Sequence, residues 1–248
     1  ETLHGIPEMK PYFETFDADM KKWNDGGGEA GAKQRYAADL KKWEADREAA
    51  KKKSQREPRR PSLNAYTFPG DKRQPGGMIS GCTMPLANCS LKGVLFYQGE
   101  NNSFSVGWKP FPQTFPAVIS DWRKVFRDKQ LPFGLVQIAG WSTRRSMEYD
   151  MNHHCNIVRE VQFNTWRKTS NTGLVVSFDT NSSESIHPMR KLPIGERLAR
   201  WALAEVYKSP GYGSNKPAQW RGPIYKSMAS RDGKIHIKFE EATAAGLV

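Results

Sequence analysis

The fold of this chain is decided by the stretch Gly93-Val94-Leu95-Phe96-Tyr97-Gln98-Gly99-Glu100-Asn101-Asn102. Residues 93–97 are apolar apart from a tyrosine hydroxyl and predict a short buried strand. Residues 98–102 are polar or glycine and predict a loop directly after that strand. A glycine at a strand's end lets a backbone N–H approach a ligand closely, and a neighbouring asparagine adds a second donor. The stretch therefore predicts a core strand followed by one wall of a site.

Helical patterns separate this strand from two similar strands further along the chain. Strands are predicted at 133–138 and 174–178, and amphipathic helices at 115–126, 158–166 and 193–207. Five-residue apolar strands that alternate with helices are typical of a parallel sheet with helices on both faces. Chemistry in such sheets collects at the carboxyl ends of the strands. We therefore expect an α/β fold with its site formed by residues 98–102, 140–142 and 179–187.

The first part of the chain has a different texture. Apolar residues recur at helical spacing in residues 7–24 and 29–54, with three glycines between them, and predict a helical hairpin. Proline and glycine break the pattern from residue 58 to 77 and predict a surface loop. The expected organisation is a helical hairpin and return loop at 1–76, an α/β domain at 77–228 and the start of a β-rich segment at 229–248.

The net charge of +12 raises the question of nucleic-acid binding. Residues 21–60 contain 13 Lys and Arg against 7 Asp and Glu, so half of the excess lies on the predicted hairpin. No motif of interleaved aromatic and basic residues accompanies this charge, and we expect no nucleic-acid partner. No apolar run approaches the ~20 residues that span a bilayer, and we expect no membrane span. The sequence leaves the oligomeric state open.

The third strand is followed by the run Glu184-Ser185-Ile186-His187-Pro188. A histidine titrates near neutral pH and can take a proton from a hydroxyl nucleophile and return it. A carboxylate three residues earlier can orient the imidazole. This spacing also arises by chance, and a surface or helix-capping histidine remains an alternative at this stage. The adjacent pair His153 and His154 points apart on a helix, so we expect no metal and no other cofactor.

Two blocks of the sequence resemble those of a known family. Residues 93–102 look like the Gly-Val-Ile-Trp-Tyr-Gln-Gly-Glu-Ser-Asn block of sialate O-acetylesterase-like carbohydrate esterases, within the SGNH (GDSL-type) hydrolase superfamily. Ile186-His187-Pro188, followed by Lys191, Gly195 and Arg197, resembles the family's Asp-Ile-His-Pro-x-x-Lys-x-x-x-Gly-x-Arg block. Residues 77–79 and 222–228 resemble flanking segments, and the hairpin is similar to an insertion in bacterial members.

The resemblance implies a flavodoxin-like three-layer α/β/α domain, here partial, that removes O-acetyl groups from a sugar without a metal. It assigns His187 as the base, Gly99 with Asn101 or Asn102 to the oxyanion, and Gln98 and Glu100 to the pocket. Ser185 stands where the family often has Asp, so either Glu184 is the supporting acid or the base relies on another group. Asn101 stands where the family has Ser. An acetylated carbohydrate is the implied substrate, and a secreted or periplasmic location is expected.

The nucleophile is the largest departure from the family pattern. Its Gly-Gln-Ser-Asn-type block follows the family's first strand, and we expect it upstream of Glu1. Ser90, Ser142 and Ser146 lack that context. The sequence thus predicts a serine acetylesterase whose chain, taken by itself, is inactive. The alternative is a non-catalytic glycan-binding relative that keeps the pocket.

Overall fold

The computed structural model describes residues 2–70, 74–140, 154–180, 186–211, 215–216, 218–244 and 247. The chain divides into two compact units, Glu1–Cys89 and Ser90–Val248. None of the helices in these described ranges is long and apolar enough to cross a membrane.

The first unit is built on two helices, α1 (Lys10–Asp25) and α2 (Gly28–Lys52). The turn between them requires glycine at two points. Gly27 has φ +81°, a conformation that residues with a Cβ rarely adopt. At Gly31 a Cβ would lie 1.9 Å from the carbonyl oxygen of Gly26, so only glycine allows the first turn of α2 to pass so close. The two helices predicted from apolar spacing are confirmed, and we call residues 10–52 the helical hairpin.

The second unit contains a parallel three-stranded sheet in the order β1 (Val94–Phe96), β2 (Phe133–Gln137), β3 (Thr172–Val176). Val94 pairs with Phe133, and Leu135 pairs with Leu174. All five residues of β2 are buried, which explains why its sequence is continuously apolar up to Gln137. The predicted parallel sheet is confirmed.

Helices cover both faces of this sheet. One face packs on α3 (Phe111–Val125) and α4 (Cys155–Lys168), around a core that includes Phe115, Ile119, Phe133 and Val158. The other face packs on α5 (Leu192–Trp201), where Val136 and Val175 contact Ile194 and Leu198. The three-layer α/β/α arrangement implied by the resemblance is therefore present.

The third strand and the last helix both end differently from the sequence-based expectation. The third strand ends at Val176 instead of Phe178, because Thr180 donates its backbone N–H and its hydroxyl to the carbonyl of Ser177 and bends the chain. Phe178 thus lies beyond the strand and is exposed. The last helix is α-helical only to Trp201 and continues as a π-helical turn over Ala202–Val206.

A two-stranded antiparallel sheet follows the core. It consists of β4 (Tyr225–Arg231) and β5 (Lys234–Phe239), with Met228 opposite Ile237 and Ser230 opposite Ile235. The alternating pattern of residues 234–239 predicts such a strand, and the antiparallel pairing confirms it.

Candidate active site

The turn after β1 is a strained and buried piece of backbone. Gly99 has φ +147° and is buried. A Cβ at this position would lie 3.0 Å from Nε2 of Gln162 and 3.1 Å from methyl carbons of Ile138 and Val158. Both the conformation and the space therefore require glycine, as is expected where a backbone must come close to its surroundings.

Gln162 on α4 fixes this turn to the neighbouring strand. Its side chain is fully buried, with a relative exposure of 0 %. Its Oε1 accepts the backbone N–H of Ile138, just past β2, at 2.9 Å, and its Nε2 donates to the carbonyl oxygen of Gln98 at 2.9 Å. One amide thus joins the carboxyl ends of β1 and β2, where the sheet's edge forms the site.

The next residues form a short 3-10 turn that is fastened to the start of α4. Ser103 is fully buried, and its hydroxyl donates to the carbonyl of Glu100 at 2.6 Å. The carbonyl of Ser103 accepts the backbone N–H of His154, the residue that precedes α4, at 2.7 Å. The ring of His154 lies 5.4 Å from that of Trp108. The polar turn is therefore held at both ends by α4.

The turn presents hydrogen-bond donors that the described part of the chain does not use. Within the described ranges no group accepts a hydrogen bond from the N–H of Gly99 or from the side-chain amides of Asn101 and Asn102. Gln98 and Asn101 are exposed, whereas Asn102 and Glu100 are partly buried. A backbone N–H next to an amide side chain is the arrangement that stabilises an oxyanion.

His187 is held by the residues on either side of it. Ile186 packs against the core cluster on the α3 and α4 face, and Pro188 is fully buried, whereas the imidazole of His187 is exposed. A histidine anchored on both sides and open to solvent can meet a substrate without first being uncovered. Glu184, predicted as its supporting acid, lies outside the described residues, as do Ser142 and Ser146.

A cation–π contact brings the two sequence blocks together. Nζ of Lys191, four residues after His187, lies 4.4 Å from the ring centroid of Tyr97, the residue before Gln98. A contact of this length is attractive, and it is stronger when the groups are partly desolvated. Tyr97 also packs against the core cluster on the α5 face. The segment that follows His187 thus contacts the end of the strand that precedes Gly99.

An ion pair closes the base of the His187 segment. Nη1 and Nη2 of Arg197 on α5 each donate to one carboxylate oxygen of Asp179 at 2.7 Å. Nη1 also donates to the carbonyl of Val176 at 2.6 Å. Hydrogen bonding from Arg197 lowers the pKa of Asp179 to about 2. Because the carboxylate is exposed, the pair's contribution to stability is small, and its main effect is to fix geometry.

A second arginine lies at the carboxyl ends of β2 and β3. The guanidinium of Arg159 stacks on the ring of Phe178 at 4.4 Å, and the ring of Phe178 covers Gly140. Burial lowers the pKa of Arg159, although an arginine remains charged at neutral pH.

In the described ranges no three His, Cys, Asp or Glu side chains are grouped to hold a metal ion.

Comparison with known proteins identifies the family of this chain. A family model described as carbohydrate esterase, sialic acid-specific acetylesterase, matches residues 66–204, which is more than half of the chain. This chain belongs to that carbohydrate esterase family. The match includes the turn at Gly99, the His187 segment and all three strands of the parallel sheet.

Individual relatives agree with the family assignment. The chain is 28% identical over 181 residues to the sialate O-acetylesterase of Mus musculus and 32% identical over 152 residues to that of Homo sapiens. These matches cover 63% and 56% of this carbohydrate esterase chain but only 30% and 28% of the two relatives. The matched part of the chain thus corresponds to about three tenths of the length of these curated relatives.

A solved structure supports the fold. The crystal structure of a carbohydrate acetylesterase from Xanthomonas citri superposes with a TM-score of 0.52 at 30% sequence identity. The match covers 63% of this carbohydrate esterase chain and 34% of the solved one.

Sequence reasoning missed the residue that joins the carboxyl ends of β1 and β2. Gln162 stands among the inward positions of α4, which also include Cys155, Val158 and Thr165. A glutamine at helical spacing from buried apolar residues must find hydrogen-bond partners, since burying an amide without them costs free energy. That spacing was a usable signal, although it does not reveal that the partners are Gln98 and Ile138.

The Gly99→Ala variant tests the turn after β1. The added Cβ meets three groups at 3.0 to 3.1 Å at a φ unfavourable for alanine, so we expect a loss of about 2 kcal/mol in the free energy of unfolding. Gly195→Ala is the matched control, because Gly195 lies in α5 with open space around its Cβ position. It should gain about 0.5–1 kcal/mol. Urea denaturation measures both, and equal effects would contradict the role assigned to Gly99.

Proposed function

We propose that this chain forms the acid-base and oxyanion part of a serine O-acetylesterase that acts on acetylated sugars. His187 is the general base, and Gly99 with Asn101 or Asn102 supplies the oxyanion donors. Gln98 and Glu100 shape the pocket, and Glu184 orients the imidazole. The observation that supports the proposal is the contact of Lys191 with Tyr97 at 4.4 Å, since it joins one residue of the first sequence block to one residue of the second.

The proposed reaction proceeds in two halves. His187 takes the proton of a serine hydroxyl as its oxygen attacks the acetyl carbonyl, and the N–H of Gly99 and an asparagine amide stabilise the resulting oxyanion. The intermediate collapses as the bond from the acetyl carbon to the sugar oxygen breaks, and His187 gives its proton to that oxygen, which leaves as the sugar hydroxyl. Water, activated by the same imidazole, then attacks the acetyl-serine and releases acetate. The reaction needs no metal or other cofactor.

We propose that the nucleophilic serine lies outside this chain. Two described serines near the site are already engaged: Ser103 donates to the carbonyl of Glu100, and Ser177 donates to that of Gln137 at 2.7 Å. Both are fully buried. The matches of this chain to the curated relatives cover 30% of their length or less, which leaves room in a full-length protein for a further catalytic segment.

Acetate release by the full-length protein tests the proposal. O-acetylated N-acetylneuraminic acid is the first substrate, because the family model carries that specificity in its description. We expect turnover by the full-length protein, labelling of one serine upstream of this chain by a fluorophosphonate, and no turnover by residues 1–248 alone. Labelling of a serine inside the chain, with full activity, would contradict the division proposed here.

We also propose a secreted or periplasmic location. Fractionation of cells, with the protein recovered outside the cytoplasm, tests it.

One observation favours a second candidate, a glycan-binding relative without catalysis. Ser185 replaces the aspartate that the family often has before Ile-His-Pro. Without a carboxylate to orient it, an imidazole is a much weaker base. Sugar binding without acetate release by the full-length protein would favour this candidate. Neither candidate involves nucleic acid.

A further inference from the structure

The helical hairpin carries a cavity that lies mostly outside the family match. The match begins at residue 66, so α1 and α2 are not part of it. Between the turn of the hairpin and the segment 65–69 lies a cavity of about 600 Å³. That volume falls within the ordinary range for small-molecule sites.

Aromatic side chains form the walls of this cavity. Trp23, at the end of α1, meets Phe68 edge-on, with ring centroids 5.8 Å apart. Tyr66 lies 5.2 Å from Tyr36 of α2, and its hydroxyl donates to Asp39. The segment 65–69 is therefore tied to α2 through Tyr66 and meets α1 at Phe68. Flat aromatic faces with polar edges suit ligands that are apolar on one side and polar on the other, and a pyranose ring has this character.

Two cations, Lys22 and Arg35, and one carboxylate, Asp19, line the same cavity, so the cations are in excess. Nη1 of Arg35 donates to the carbonyl of Gly26 at 2.5 Å. A guanidinium has five N–H donors, so others remain for a ligand. Within the described ranges neither Arg35 nor Lys22 forms a salt bridge with a carboxylate. By contrast, the neighbouring Lys21 is paired with Asp25 at 2.6 Å. The indole N–H of Trp23 also has no acceptor among the described residues.

We propose that this cavity binds an acidic saccharide, with the sugar ring against Trp23 and Phe68 and its anionic group on Lys22 and Arg35. Aromatic walls alone would suit many ligands, but Lys22 and Arg35, which form no salt bridge in the described ranges, favour a ligand with a negative charge. The choice of a saccharide rests on the carbohydrate substrate proposed above. In this proposal the hairpin binds carbohydrate through residues other than those proposed for hydrolysis.

Titration calorimetry on the 248-residue chain tests this inference with three probes. These are the methyl glycoside of N-acetylneuraminic acid, a sulfated galactose and neutral methyl galactoside. We expect the two acidic probes to bind and the neutral probe to bind at least tenfold more weakly. The relative affinities of the two acidic probes show whether a carboxylate or a sulfate is preferred. If none of the probes binds, or if the neutral one binds as well as both acidic ones, the proposal is wrong.

Variants locate the binding. Lys22→Met is expected to weaken acidic-probe binding about tenfold, the effect of one lost charge-assisted hydrogen bond, without affecting the fold, because the side chain is exposed. Lys21→Met is the matched control on the same helix and should bind normally. Trp23→Leu should abolish binding, with folding checked by circular dichroism. His187→Ala should bind normally, so this test and that of the esterase proposal fail independently. Equal binding by the Lys22 and Lys21 variants would overturn the assignment.

Discussion

Replacing His187 with alanine in the full-length protein is expected to lower kcat for acetate release by about 10³-fold or more. A general base that takes the serine proton typically accounts for this much of the rate, and without it the hydroxyl is a poor nucleophile. The imidazole is exposed and its neighbours Ile186 and Pro188 supply the anchoring, so the melting temperature should stay within about a degree. Initial rates on an O-acetylated sialic acid measure the effect.

His236→Ala is the control for this experiment. His236 is also exposed, but it lies on β5 opposite Ala229, in a strand outside the parallel sheet. Its loss should leave kcat unchanged. A His187 variant with wild-type kcat would reject both the base and the mechanism built on it. Loss of kcat with retained sugar affinity is the pattern that supports a role in chemistry over a role in binding.

The Gln162→Leu variant should lose about 2–4 kcal/mol in the free energy of unfolding and at least tenfold in kcat. Leucine leaves the N–H of Ile138 and the carbonyl of Gln98 buried or partly buried without partners, and each such loss costs about 1–3 kcal/mol. The turn at Gly99 is then no longer tied to β2, so the proposed oxyanion donors lose their position. Urea denaturation and initial rates in the full-length protein measure the two effects.

Asn164→Leu is the matched control for Gln162. It lies two residues further along α4 and is exposed, so neither stability nor kcat should change by much. A conservative variant separates positioning from folding. Gln162→Glu keeps an acceptor for Ile138 but cannot donate to Gln98 when ionised, so kcat should fall with little change in KM. If kcat is intact in every folded Gln162 variant, the residue is structural only.

The strands and helices of the second unit could be predicted because local signals agree there with the tertiary structure. The apolar run at residues 133–137 is buried on both faces of the sheet, and the helices on either side show the expected spacing. The end of β3 could not be predicted, since Phe178 continues the apolar run and only the hydrogen bonds between Thr180 and Ser177 end the strand. Local pattern does not report such a bend.

The site was predictable only in part, for a similar reason. Gly99 and His187 belong to contiguous motifs, so each could be recognised from its immediate neighbours. The contacts that assemble the site join residues far apart in sequence: Gln162 with Gln98, Lys191 with Tyr97, and Arg197 with Asp179. Periodicity carries no information on which distant residues meet. Those contacts are set by the tertiary structure.

The ion pair between Asp179 and Arg197 has a consequence for the entropy of the site. It joins Asp179, which lies just past the end of β3, to Arg197 on α5. These two residues flank the segment 180–196, which contains His187. Closing a loop restricts the conformations of everything between its ends, and that restriction is imposed once, when the protein folds. A substrate arriving later meets a histidine whose range of positions has already been narrowed, so less of its binding energy is consumed in ordering the protein. In the proposed mechanism, the ordering of the base would then not depend on contacts with any particular sugar.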